Sequence, residues 1–398
     1  MKRNFIHTSE SVTEGHPDKL CDQISDAVVD RFLERDYTSR VIAECAVSLS
    51  VVFIAARFSS RIKVDFPNVA RKVLRRIGYV DHEFNFRTCS ILTSLKEISP
   101  DQEFDFDETR ISDEDIDRMP ATDQVTIFGF ACNQSPTLMP LPIWLAHKLA
   151  KRLSVVRLEN VLPYLSPDGT TQVGVEYKDQ VPHRIHSITI NSSQKDRSYP
   201  DLKVLRDDIR EVVVNVAFED EEIAPDADTQ IFINPYGALK LGGPSVHSGL
   251  TGRKNAIDTY GGYSRNSGSA LSGKDPLRID RVAAYAARYA AKNVVAAGLA
   301  DECEVQLSYA IGLPQPVSFQ VKTRGSGTMS DYEIADLVSR HFDFRLGAII
   351  RQFNLRKLPM EHKRGFYRLL AAYGHFGRTD MDLPWEAVDK AEMLRSSS

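Results

Sequence analysis

Strand-like runs and apolar-striped helices recur in three successive segments of similar size in this 398-residue chain. Each helix stripe and each strand face must be buried against a partner, so the recurrence points to an α+β fold of three similar units. In the first segment, Pro17 suits a first helical position, and Leu20, Ile24, Val28 and Phe32 repeat every fourth residue on one face. Residues 41–58 are dense in β-branched side chains and predict strands. A basic amphipathic helix is predicted over 69–77 and a further strand over 86–92. The second segment predicts strands over 127–132, 173–177, 185–190 and 230–234, with helices over 142–153 and 202–216. The third predicts a helix over 275–299, with Asp275 as N-cap, Pro276 first inside and Gly298 helping to stop it. Strands over 304–310 and 317–323 and a helix over 331–342 complete it. The expected domains are 1–104, 123–236 and 237–398, approximate and open to being discontinuous.

Between the first two lies an acidic stretch, 105–122, that extends a run of carboxylates beginning at Asp101. It reads as a solvated loop, and a loop of that length also suits an active-site lid. The formal net charge of −4 argues against a nucleic-acid or membrane-surface protein. No apolar run approaches the ~20 residues that cross a bilayer. The first residues carry no apolar core of a secretory signal. The five cysteines, Cys21, Cys45, Cys89, Cys132 and Cys303, form no C-x-x-C pair, so they read as reduced, mostly buried thiols. A cytoplasmic protein is expected.

The chemistry concentrates in Gly252-Arg253-Lys254 through Gly261-Gly262 and in Ser267 through Pro276. Adjacent cations among small residues let backbone and ammonium groups close around a polyanion. Asp280 follows and can hold magnesium against the same phosphates, which suits a triphosphate such as that of ATP. No Walker A can be fitted, because Lys274 is followed by Asp275. At the other end of the chain, His16-Pro17-Asp18-Lys19 sits at a predicted helix N-terminus, where free N–H groups favour anions. A capping role for His16 is equally open on spacing alone. Asp18 is a second magnesium candidate. For Asp280 the plainer reading is a helix-dipole partner, and for Phe232 it is core packing.

Several motifs in order resemble the S-adenosylmethionine synthetase (methionine adenosyltransferase) family. They are Ser9 through Lys19, Phe232-Ile233-Asn234-Pro235, Gly249 through Lys254, Asp258 through Gly262, Ser272 through Pro276, and Ala372 through Arg378. The resemblance implies three α+β domains with pseudo-threefold symmetry, and a dimer with shared active sites that is often paired into a tetramer. It implies that a methionine sulfur attacks C5′ of ATP and that the released triphosphate is then hydrolysed, with Mg2+ and K+ as cofactors. By resemblance, His16 acts near the ribose and the breaking C–O bond, with Arg253, Lys254 and Lys274 beside it in catalysis. Lys19, Ser272 and Arg278 join the phosphate trough. Phe232 lies against adenine, Asp168 near the ribose and Asp123 near substrate. Asp18 and Asp280 hold magnesium, and Glu44 is the potassium-linked carboxylate.

The acceptor side departs from the family pattern. Ala55-Ala56-Arg57 stands where the family has Gly-Gly-Glu, Ile98 where it has Gln, and His247 where it has Asp. Thr170 replaces a catalytic Lys, and Arg278 a phosphate-side Lys. Two acids that would face an ammonium are thus lost, and Arg57 would repel one. An ATP-using adenosyltransferase with an altered acceptor pocket at Arg57, Ile98 and His247 follows, acting on methionine or a methionine-like acceptor. A non-catalytic partner of a synthetase and a hydrolase confined to triphosphate are the competing readings.

Overall fold

The computed structural model describes residues 4–80, 84–99, 107, 110–195, 200–362 and 365–397. Among these described residues, eleven strands form three sheets. They are β1 (Phe5–Val12), β2 (Arg40–Ser48), β3 (Val51–Ser59), β4 (Ser90–Glu97), β5 (Val125–Cys132), β6 (Leu165–Lys178), β7 (Val181–Gln194), β8 (Gln230–Ile233), β9 (Gly249–Leu250), β10 (Glu302–Tyr309) and β11 (Ser318–Lys322). The sheet orders are β4-β3-β2-β9, β1-β6-β7-β8 and β11-β10-β5. Each sheet takes a strand from another stretch of the chain: β9 joins the first, β1 the second and β5 the third.

One long helix backs each sheet. Pro17–Leu33 packs on β2 and β9, Leu141–Leu158 on β6 and β1, and Ile279–Ala296 on β5 and β10. The fourfold spacing seen in sequence is the buried stripe of the first helix, where Leu20, Ile24, Val28 and Phe32 are fully buried. Two glycines permit the closest approaches. A Cβ on Gly129 of β5 would sit 2.1 Å from the Ala287 carbonyl carbon, and one on Gly249 would sit 2.1 Å from the Pro17 carbonyl oxygen. The second contact seats β9 against the N-terminus of the first helix.

Three predicted elements differ from those observed. The strand expected over 86–92 is Ser90–Glu97, because residues 86–89 form a turn in which Arg71 donates to the carbonyls of Phe86 and Cys89. The helix expected from Asp275 begins at Ile279. Asp275 is not its cap: the carboxylate instead accepts from the Val41 N–H at 2.7 Å and the Leu277 N–H at 2.8 Å, which spends it on joining the loop to β2. The helix expected over 202–216 runs from Leu202 to Ile209 and then widens into a π-helical stretch, Arg210–Asn215. β6 and β7 extend well past their predicted cores as one hairpin, turning at Asp179 and Gln180 with φ of +49° and +70°.

Much of the acidic stretch, including Asp101, Glu103 and Asp105, lies outside the described residues. Its described part is docked: Arg345 meets Asp117 at 2.8 Å, Arg351 meets Asp113 at 3.1 Å, and Ile116 is fully buried. All five cysteines are buried and free. No helix among the described residues is long and apolar enough to cross a membrane.

Candidate active site

The first helix opens at the site. His16 is its N-cap, and its Nδ1 accepts the Asp18 N–H at 3.2 Å. Both readings of His16 therefore apply to one residue, since the cap holds the ring at the mouth of the helix. Burial pulls the His16 pKa down to about 4, against the opposing pull of the Asp168 and Asp18 carboxylates, so the ring is neutral at pH 7. One Asp18 oxygen accepts the Leu250 N–H of β9 at 3.0 Å and lies 3.6 Å from the Arg253 guanidinium. Asp168, on β6, accepts the Gly243 N–H at 2.7 Å and lies 3.2 Å from Nε2 of His247. Its second oxygen is buried without a hydrogen-bond partner among the described residues. His16, Asp168 and His247 bring ligand atoms within 4.8 Å of one another, and the two rings stand 5.0 Å apart. The hydrogen bond to Asp168 raises the His247 pKa, the opposite of the shift at His16. Lys254 approaches Glu10 at 3.6 Å beside this group.

A second group forms where the 272–280 loop meets β2. Ile42 bridges Lys274, and Ala43 donates to the Gly273 carbonyl at 2.8 Å. Lys274 lies 3.2 Å from one oxygen of Asp280, whose other oxygen is buried without a partner among the described residues. Ser272 is buried beneath them. Arg278 pairs with Asp123 at 3.0 Å. Arg57, Ile98 and Arg278 line one cavity of about 380 Å³ together with Arg40, Ile42 and Phe58.

The predicted residues thus gather into two clusters, one around His16, Asp18, Asp168, His247, Arg253 and Lys254, the other around Lys274, Asp280, Arg278, Asp123, Arg57 and Ile98. Thr170 lies on β6 opposite Asn191, whose side chain donates to it at 3.3 Å. Phe232 is exposed on the edge strand β8, and Glu44 is exposed on the outer face of β2. Lys19 does not reach the surface of either cluster. It is fully buried, with its ammonium held by Asp22 at 2.8 Å and by Asp258. Burial opposes its charge, but the two carboxylates outweigh that and hold its pKa above the ordinary range. Its expected place in a phosphate trough is therefore corrected to a structural one beneath the loops.

Sequence reasoning missed what positions those loops. Asp22, Asp26 and Asp30 are buried along the first helix at four-residue intervals. Asp22 accepts the Gly252 N–H at 2.8 Å, Asp26 the Gly273 N–H at 2.8 Å, and Asp30 the N–H groups of Tyr367 and Arg368, each at 2.9 Å. Asp26 also pairs with the fully buried Arg281. The signal was present in sequence: three acids spaced one helical turn apart on a helix predicted to be buried.

Three family descriptions cover the chain in order. They are "S-adenosylmethionine synthetase, N-terminal domain" over residues 4–100, "central domain" over 118–239 and "C-terminal domain" over 241–387. The S-adenosylmethionine synthase of Microcystis aeruginosa is 48% identical over 414 aligned positions, covering 100% of this chain and 99% of the relative. That of Synechococcus elongatus is 48% identical over 412, covering 100% and 99%. That of Thermosynechococcus vestitus is 47% identical over 408, covering 99% and 98%. With matches to all three domains and near-complete coverage of each relative, this chain belongs to the S-adenosylmethionine synthetase family.

Proposed function

We propose that this protein is an ATP-dependent adenosyltransferase acting on methionine or a methionine-like thioether. The acceptor sulfur donates a lone pair to C5′ of ATP. The C5′–O bond breaks, its electron pair leaves with the triphosphate, and the triphosphate is then hydrolysed to phosphate and diphosphate. The observation that carries this reading is the meeting of the His16–Asp18 helix end with the Arg253–Lys254 loop, in a chain whose curated relatives are named S-adenosylmethionine synthases.

Little covalent work falls to the protein in such a displacement; positioning and charge neutralisation carry it. Arg253, Lys254 and Lys274 are placed to offset the charge developing on the triphosphate, with Arg278 and Ser272 on the phosphate side. His16, kept neutral by burial, suits a hydrogen bond near the ribose and the breaking bond without adding a fixed charge. Asp168 is assigned to the ribose, Phe232 to adenine and Asp123 to the reacting region. The competing readings, a non-catalytic partner and a hydrolase confined to triphosphate, have no observation in their favour.

The residues fit a divalent cation. Asp280 keeps a buried carboxylate oxygen without a partner among the described residues, and Asp18 sits beside the helix end that would meet phosphate. Asp18 and Asp280 are therefore proposed to hold magnesium, which when bound supplies positive charge at phosphate oxygens. Glu44 is proposed for potassium, supported by its open carboxylate on an exposed sheet face. That face also carries Val51, Phe53, Leu92 and Leu250, all more than a third exposed. The register of β2, β3, β4 and β9 places them on one side with Glu44 and Arg57. Such a patch supports a dimer, with a tetramer by further pairing, in which a second copy covers the sheet and completes the site. The five free, buried thiols support a cytoplasmic location.

The test is direct. Purified protein with ATP, magnesium, potassium and a thioether acceptor should yield an adenosyl sulfonium together with phosphate and diphosphate. Release of ADP without an adenosylated product would overturn the reading.

A further inference from the structure

We infer that His16, Asp168 and His247 form a binding site for a zinc-class divalent cation, separate from the proposed magnesium ligands, and that a cation held there excludes the nucleotide. The second half rests on the adenosyltransfer reading, in which His16 and Asp168 serve the ribose side. The first half stands on geometry alone.

Three parts of the chain bring the ligands together. His16 caps the first helix, Asp168 lies on β6, and His247 lies in the loop that leads into β9. One ligand atom from each lies within 4.8 Å of the other two. In a tetrahedral zinc site, bonds of about 2.0–2.1 Å put neighbouring ligand atoms about 3.3–3.4 Å apart. The 3.2 Å between Nε2 of His247 and an Asp168 oxygen is already close to that edge. Closing the remaining edges falls to His247, whose side chain is 41% exposed and opens the site to solvent.

Asp168 is held as a fixed ligand. The residue is only 8% exposed. Ser193 donates to its backbone carbonyl at 2.9 Å, and the Gly243 N–H donates to one carboxylate oxygen at 2.7 Å. Such an outer contact is what orients a metal-bound carboxylate. The other oxygen is buried and accepts from no donor among the described residues. A buried acceptor left without a donor is costly, and a cation satisfies it.

The two rings can adjust their protons. Neutral His16 has one nitrogen lone pair, which now accepts the Asp18 N–H at Nδ1. A metal on Nε2 moves the ring proton to Nδ1, which lies 3.9 Å from an Asp18 oxygen able to accept it. That is the carboxylate–histidine–metal arrangement usual at such ions. At His247 the metal takes the place of the proton between Nε2 and Asp168, and Nδ1 carries the ring's one hydrogen.

The surrounding charge admits a cation. Arg253 faces Asp18 and Lys254 faces Glu10, each at 3.6 Å. Each of these cations is met by a carboxylate, so the charge of Asp168 is left over when both rings are neutral. Two imidazoles and one carboxylate suit zinc, cobalt or nickel, whereas magnesium takes oxygens. Three protein ligands leave a fourth position for water. The second imidazole comes from His247, a position where the chain departs from the family pattern.

The test uses the full chain, stripped of metal by a chelator and dialysed free of it. Calorimetry with zinc and no nucleotide should find one zinc per chain, retained in about a hundredfold excess of magnesium. His247→Ala, at a half-exposed position, should weaken zinc binding at least tenfold, and Asp168→Asn should do the same. The cobalt form of the unaltered protein should show paramagnetically shifted NMR ring resonances from two histidines, which reads the ligands without a variant. Absence of stoichiometric zinc, or an affinity unchanged in both variants, would overturn the site. Initial rates are then measured with magnesium in excess and free zinc set by a metal buffer. With free zinc at about ten times its dissociation constant, the apparent KM for ATP should rise about tenfold while kcat holds. An unchanged KM on the zinc-loaded chain would overturn the exclusion. Zinc bound as expected, with no adenosylated product in zinc-free buffer, would uphold the site and sink the transferase reading.

Discussion

Asp22 accepts the backbone N–H of Gly252 at 2.8 Å while its other oxygen holds Lys19, also at 2.8 Å. A loop proposed to meet phosphate is thus fixed from below by an acid on the first helix. One turn further on, Asp26 fixes Gly273 in the same way. The two loops that carry Arg253, Lys254 and Lys274 therefore hang from one helix face. Removing a single buried partner from such a pair costs about 3–5 kcal/mol, because the other charge stays buried. Asp22→Ala should destabilise the protein on that scale. In hydrogen–deuterium exchange it should speed exchange at 250–254 more than at 272–275, and Asp26→Ala should do the reverse. Equal speeding of both loops in both variants would show that the acids act only on global stability.

His16 and His247 stand 5.0 Å apart yet shift in opposite directions. The His16 pKa is pulled to about 4 by burial. The unfolded chain then binds more protons between that value and the model-peptide value of about 6.5, so this residue makes stability fall as pH drops through that window. The full shift corresponds to about 3 kcal/mol. His247 behaves in the opposite sense. Its pair with Asp168 contributes fully below the unfolded pKa and is lost as pH rises through its raised folded value. An NMR titration of ring protons should find His16 still neutral at pH 5 and His247 titrating above 6.5. Asp168→Asn should lower the His247 value. Coincident titration of the two rings would contradict this account of the cluster.

Asp280 carries a buried oxygen without a partner among the described residues, and Lys274 stands 3.2 Å from the other. Taking its carboxylate as a magnesium ligand, Asp280→Asn should lower adenosyl transfer by about a hundredfold or more and raise the magnesium concentration needed for half-maximal rate. In metal-free buffer the melting temperature should change little, since asparagine keeps the shape of the side chain and an oxygen for the Lys274 ammonium. A large loss of stability with unchanged magnesium dependence would assign Asp280 a purely structural role.

Phe53 is exposed at the centre of the apolar sheet face, between Leu92 on β4 and Ala46 on β2. If the proposed dimer forms through this face, Phe53→Glu should leave each folded chain intact and shift the protein from dimer to monomer in sedimentation velocity, with turnover lost alongside. A variant that stays dimeric, or a monomer that keeps full turnover, would show that the site does not require this face.

Much of the fold was legible because apolar spacing is local. The stripe from Leu20 to Phe32 and the dense β-branched run of 41–58 became the first helix and the β2–β3 pair with small shifts. The exchange of β1, β5 and β9 between sheets was not legible, since period-two alternation reveals a buried face but not the strand that completes it. Asp275 looked like a helix cap because it precedes Pro276, yet a tertiary demand at Val41 took its carboxylate. His16, Asp18 and the 253–254 cations were found by charge and motif, and Asp168 through the family resemblance, while their meeting is a tertiary fact. Lys19 was misplaced for the same reason: its motif neighbours reach the cleft, while Asp22 and Asp258 draw its ammonium inward.

The central claim is that the chain breaks ATP at C5′. The most direct measurement supplies ATP labelled with carbon-13 in the ribose, together with magnesium, potassium and a thioether acceptor, and follows the label by mass spectrometry while phosphate and diphosphate are quantified. The account predicts a ribose-labelled adenosyl sulfonium formed in equal amount to diphosphate and to phosphate. Labelled ADP or AMP as the main nucleotide product, with no labelled sulfonium, would contradict it.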